Sequence, residues 1–92
     1  MTDAEILEDL VALAESAGMP VQRVPRGRAT EAGPPVASAA CRVGGEWRIV
    51  LVAGDSIEER IEAVASALRE RRSDWLETRH IPPALRRRLE RV

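Results

Sequence analysis

Residues 36–53 run Val36-Ala37-Ser38-Ala39-Ala40-Cys41-Arg42-Val43-Gly44-Gly45-Glu46-Trp47-Arg48-Ile49-Val50-Leu51-Val52-Ala53. Two segments of strand composition flank a glycine pair, and both glycines tolerate the positive φ that a two-residue hairpin turn imposes. The turn sets a register in which Val43 faces Glu46, Arg42 faces Trp47 and Ala40 faces Ile49. Side chains alternate between the two faces of a strand, so the register also sorts them. One face carries Trp47, Ile49 and Leu51 opposite Arg42, Ala40 and Ser38. The other carries Val50 and Val52 opposite Ala39 and Ala37, with Cys41 beside Arg48. Beyond the turn both faces are apolar. One can pack on helices, and the other needs a cover as well.

Upstream, residues 3–17 have helical periodicity. Ile6, Leu7, Leu10, Val11, Leu13, Ala14 and Ala17 form a stripe, with Glu5, Glu8, Asp9 and Glu15 mostly opposite. Thr2 and Glu5 have capping-box spacing, Gly18 suits the position after the helix, and Pro20 forbids continuation. Val21 to Val24 reads as a short strand ended by Pro25. Residues 25–35 form a Pro/Gly-rich loop expected to be mobile. Downstream, Asp55 and Ser56 precede Glu58 and Glu59 at capping-box spacing. Ile57, Ile61, Val64, Ala65 and Leu68 then supply the stripe of a second helix to about Arg72. Residues 73–81 have no clear period, with Trp75, Leu76 and Ile81 as anchors. Pro82-Pro83 opens a short last helix that aligns Leu85, Leu89 and Val92. The expected architecture is one α+β domain over residues 1–92: an N-terminal helix, a small antiparallel sheet, an amphipathic helix and a short C-terminal helix.

The core that this pattern buries is thin. Of the 92 residues 14 are Ala, two are Trp, and Phe and Tyr are absent, so much of the apolar content contributes less burial than Leu or Ile would. The one cysteine excludes an internal disulfide and fits a reducing compartment. The first residues are acidic where a secretory signal would be basic, and no apolar run approaches the roughly 18 residues of a membrane span. Cytoplasmic placement, away from membranes, is the expectation.

Charge is segregated. Residues 1–22 hold five acids and no base, whereas residues 71–92 hold seven arginines against three acids, within a chain of net charge −1. The acidic first helix and the basic tail are expected to lie close together. Arg86, Arg87, Arg88 and Arg91 could contact an anion or nucleic acid. However, the tract has no interleaved aromatic residue and the chain is not basic overall, so nucleic acid is not the expected partner. Cys41 as a nucleophile would require a base, and His80 is the only histidine. One His and one Cys also fall short of a zinc ligand set. Glu58 and Glu62 fit the solvated side of a helix. Arg42 opposite Trp47 suggests a cation–π pair.

The tract Trp47-Arg48-Ile49-Val50-Leu51-Val52-Ala53-Gly54-Asp55-Ser56-Ile57-Glu58-Glu59-Arg60-Ile61-Glu62-Ala63-Val64-Ala65 resembles the core of ImmA/IrrE-like metallopeptidases. In that family a last strand leads through a polar turn into a helix bearing His-Glu-x-x-His, and the resemblance spans about Cys41 to Leu68. The ligand histidines would fall at Val64 or Ala65 and at Leu68 or Arg69, and the general base at Ala65 or Ser66. None of these binds zinc or moves a proton. The resemblance therefore implies a shortened, non-catalytic relative, and no family site residue carries over.

Together these readings predict a non-enzymatic protein-interaction or regulatory domain that needs no cofactor or metal and has a protein partner or a second copy of itself. Trp47, Val50, Val52 and Trp75 are the candidate interface residues. An anion- or nucleic-acid-contacting accessory protein using Arg86, Arg87, Arg88 and Arg91, and an enzyme using Cys41 or His80, are the alternatives.

Overall fold

The computed structural model describes residues 1–25 and 37–90. The Pro/Gly-rich loop, apart from Pro25, lies outside the described residues, as do Arg91 and Val92. The elements in chain order are α1 (Asp3–Ser16), β1 (Val21–Val24), β2 (Ala39–Val43), β3 (Glu46–Val52), α2 (Ile57–Arg71), α3 (Ser73–Glu77) and α4 (Pro83–Leu89). This is the α+β class that the periodicities predict.

Both long helices start on capping boxes. Thr2 Oγ1 accepts the Glu5 amide while Glu5 Oε1 accepts the Thr2 amide at 3.0 Å. Ser56 and Glu59 do the same for α2, so Ser56, not Asp55, is the cap. The end of α1 is closed by two reversed bonds: the Gly18 amide donates to the Glu15 carbonyl and the Met19 amide to that of Ala14. Gly18 takes φ +86°, the left-handed conformation this ending requires, and Met19 drops fully buried into the core.

The Thr2 contacts also set a titration. The Thr2 backbone amide, then its hydroxyl, hold the Glu5 carboxyl below the ordinary glutamate range. Because the folded value is the depressed one, this contribution to α1 is present above the unfolded pKa and is lost as pH falls through the folded one. Thr2→Ala is expected to raise the Glu5 inflection in a carboxyl-detected NMR titration. An unmoved inflection would show that the box does not hold the carboxylate.

The sheet order is β1-β3-β2. The hairpin pairs in the register expected, from Val43↔Glu46 to Ala39↔Val50, with Gly44 and Gly45 both at positive φ. The sheet is not wholly antiparallel, however. β1 joins the other side of β3 in parallel, with Val21 opposite Ile49 and Val24 opposite Val52. A hairpin turn dictates only the relative direction of its own two strands. Here the chain leaves β1 at the end of the sheet where β2 begins, so β3, returning from the hairpin, runs alongside β1.

The helices cover one face. Ile49 and Leu51 pack there with Leu10, Ile61, Val64, Leu68, Ile81 and Leu85. On the opposite face Val24, Val50 and Val52 form a second buried cluster, with Cys41 against it. Arginines tie the helical layer together. Arg72 Nε donates to the Ala17 carbonyl at the end of α1, and Arg69 bridges Glu62 and the Arg88 carbonyl. Arg88 reaches Glu58 at 2.8 Å and Asp3 at 3.2 Å, so the acidic first helix and the basic tail do meet.

Candidate functional site

The residues expected to form an interface are redistributed by the fold. Val50 and Val52 are 4% and 3% exposed, so they are core residues, not surface ones; an apolar patch on that hairpin face is corrected accordingly. Trp47 is half-buried and packed against the core, its ring stacked under Arg71 at 3.9 Å. The partner expected for it was Arg42, but the C-terminal end of α2 covers this ring while Arg42 stays exposed. Trp75, also half-buried, lies under Arg79 at 4.5 Å. Among the described residues Met1 is the one large hydrophobic side chain that is exposed.

The arginine candidates are partly consumed by internal pairs. Arg88 is engaged by two carboxylates and Arg86 lies 3.4 Å from Glu90. Arg87 is exposed, and Arg91 lies outside the described residues. Cys41 and His80 are not brought together. Cys41 belongs to the Val50 face of the sheet, whereas His80 is exposed beside Ile81, which packs in the helical layer. Val64, Ala65 and Leu68, where the metallopeptidase pattern would require ligands, are fully buried apolar residues. Among the described residues no three His, Cys, Asp or Glu side chains gather as a metal would need, and no helix is long and apolar enough to cross a membrane.

What the structure does assemble is a groove between β2 and α2, of about 420 Å³. Its sheet side is Ala37, Ser38, Ala39 and Ala40. Its helix side is Glu59, Glu62, Ala63, Ser66, Ala67, Glu70 and Arg71. The groove exists because its floor is built of small side chains. Alanine at 40, 63 and 67 cannot fill the space between helix and strand that leucine would.

The strand beside the groove is an edge. β2 pairs with β3 on one side, and among the described residues nothing pairs with it on the other. In an antiparallel ladder successive residues direct their main chain alternately toward and away from the partner. The two-residue turn makes Val43 and Glu46 a hydrogen-bonded pair, and Cys41↔Arg48 and Ala39↔Val50 follow at the same parity. Ala40 and Arg42 therefore aim their N–H and C=O groups outward, along the rim of the groove. The ladder is stopped at its far end by a side chain. Ser38 Oγ accepts the Val52 amide at 2.8 Å, and the Ser38 amide donates to Asp55 Oδ2 at 2.6 Å.

The register and the alanines were legible in the sequence. That β2 would be an edge was not, because strand order depends on where β1 docks. No family model, curated protein or solved structure matches the chain.

Proposed function

We propose that this chain is a protein-interaction domain that receives its partner along β2, as an added strand. The observation that carries this reading is the coincidence of an edge unpaired among the described residues, with outward main-chain groups at Ala40 and Arg42, and a groove beside it walled by α2. Strand addition takes affinity from main-chain hydrogen bonds and specificity from pockets that receive alternate side chains, and both elements are in place. An unguarded edge is a liability that folded proteins blunt with short strands and charge. β2 is short and carries Arg42, which limits casual pairing without closing the site.

The test is photo-crosslinking in the native cell, with the reactive residue placed at exposed Ala39 or, separately, at Arg87 on α4. The expected result is an adduct from position 39 that disappears when Ala40→Pro is added. Proline removes an outward N–H while leaving the bonds to β3 intact. The adduct mass tells a second copy of the chain from a different protein. Adducts from position 87 alone would favour the arginine-rich helix, and none from either position would remove the interaction reading.

A further inference from the structure

We infer that the cavity between the carboxyl ends of β1 and β3 and the first turn of α2 binds a small monocarboxylate with a short, branched apolar body. The cavity, of about 310 Å³, is lined by Arg23, Val24, Pro25, Leu51, Ala53 and Arg60. It lies at the β1 edge of the sheet, across from β2 and its groove. Its place follows from the parallel pair. Val24 and Val52 close the β1–β3 register, the Ala53 amide donates to the Val24 carbonyl just beyond, and the chain then turns into α2. Crevices outside the carboxyl ends of parallel strands are where open α/β sheets take their ligands.

The charge on the cavity selects the ligand. Arg23 pairs with Leu51 in register, so its side chain shares the helix-covered face of the sheet. Its Nη2 holds both oxygens of Glu8, at 2.8 and 2.9 Å, which cancels that charge. Arg60 has no such counterpart. The residues three and four positions from it are Ser56, Ile57, Ala63 and Val64, none of them charged. Its Nε is buried and, among the described residues, has no acceptor. Keeping part of a guanidinium out of water without a partner costs free energy, and an anion held in the adjoining cavity offsets that cost.

One uncompensated positive charge calls for one negative charge. A carboxylate supplies it in the planar form that a guanidinium accommodates best. A phosphate dianion would bring twice the charge, and a stronger hold on water, to walls made by Val24, Pro25, Leu51 and Ala53. Those walls fit methyl and methylene groups instead, whose burial adds affinity.

The test is an NMR titration of the full, isotope-labelled chain with isovalerate as the probe, set against isovaleramide, isopentylamine and inorganic phosphate. The Ala53 amide and Arg60 Nε–H signals are expected to shift together with isovalerate and to saturate, with a dissociation constant of about a millimolar, the scale for so small a ligand. The amide and the amine should leave them in place, and phosphate should bind at least about tenfold more weakly. Arg60→Gln is expected to weaken isovalerate at least about tenfold, the scale of one hydrogen bond to a charged group. Arg87→Gln, which removes an exposed cation on α4, should change nothing. Ala53→Leu fills the cavity while keeping Arg60 and should weaken isovalerate to a similar degree, which keeps the test decisive if Arg60→Gln does not fold.

Equal binding of isovalerate and isovaleramide overturns the selection by charge. Phosphate that binds as tightly as isovalerate overturns the choice of a monocarboxylate. Binding unchanged by both Arg60→Gln and Ala53→Leu, or no saturable shift at all, removes the site.

Discussion

Leu68→Ala is expected to lower the free energy of unfolding by about 2–5 kcal/mol, the range for deleting a buried leucine side chain. Leu68 is fully buried, in the cluster where α1, α2, α4 and the sheet meet. The cost falls toward the upper part of that range where neighbours cannot close the cavity. The surrounding core includes Ala14, Ala63, Ala65 and Ala67, short side chains with nothing to extend into a void. For a domain of this length the whole stability is roughly 5–14 kcal/mol, at about 0.05–0.15 kcal/mol per residue. One substitution thus removes a large share of it, and the thermal midpoint should drop by roughly 10–30 °C. Urea unfolding is the appropriate measurement, with Leu76→Ala as the comparison because Leu76 is only partly buried at the edge of the same cluster. Leu76→Ala should cost clearly less. A Leu68→Ala loss under about 1 kcal/mol with an unchanged m-value would mean that the helices do not pack on the sheet as described.

What could be read in the sequence was local, and what could not be read depended on neighbours distant in the chain. Gly44-Gly45 settles the hairpin register from four adjacent residues. Thr2/Glu5 and Ser56/Glu59 mark their helix starts within one turn. Pro83 opens α4 because a proline in the first turn loses no helical hydrogen bond. The parallel pairing of β1 is different in kind: Val21 to Val24 have the same composition whichever way they dock. The stacking of Arg71 on Trp47 spans a strand and a helix, and the Arg72 bond to the Ala17 carbonyl joins residues far apart in sequence. Val50 and Val52 show the limit most clearly. Their alternation indicated a second apolar face that needed covering, but not that the chain would bury it. The candidate site lies on the far side of that limit. Its parts, the alanines of β2 and the glutamates of α2, look in sequence like a weak strand and a solvated helix face. Only strand order and the direction of α2 place them on opposite sides of one groove.

Ser38→Ala is expected to cost about 1–3 kcal/mol, more than a side chain of its size would suggest, because of what it leaves behind. Val52 is buried, and its amide points toward β2 at a level where the β2 ladder has already ended. The Ser38 hydroxyl supplies the acceptor that a main-chain carbonyl would otherwise provide. Alanine removes that acceptor, and an unsatisfied buried donor costs about 1–3 kcal/mol. Ser38→Thr retains the hydroxyl and should recover most of the loss, whereas Asp55→Asn retains an acceptor for the Ser38 amide and should be milder than Asp55→Ala. Amide hydrogen exchange gives the discriminating readout. In Ser38→Ala the Val52 amide should lose protection selectively, while Val50, bonded through the regular ladder to Ala39, keeps its own. The functional consequence follows from position, since the same clasp anchors the start of β2 to the turn that leads into α2. Freeing it would loosen the upper end of the groove. Protection at Val52 equal to the parent chain, in a variant that is folded, would show that the hydroxyl is not the acceptor and that the ladder continues past Ala39.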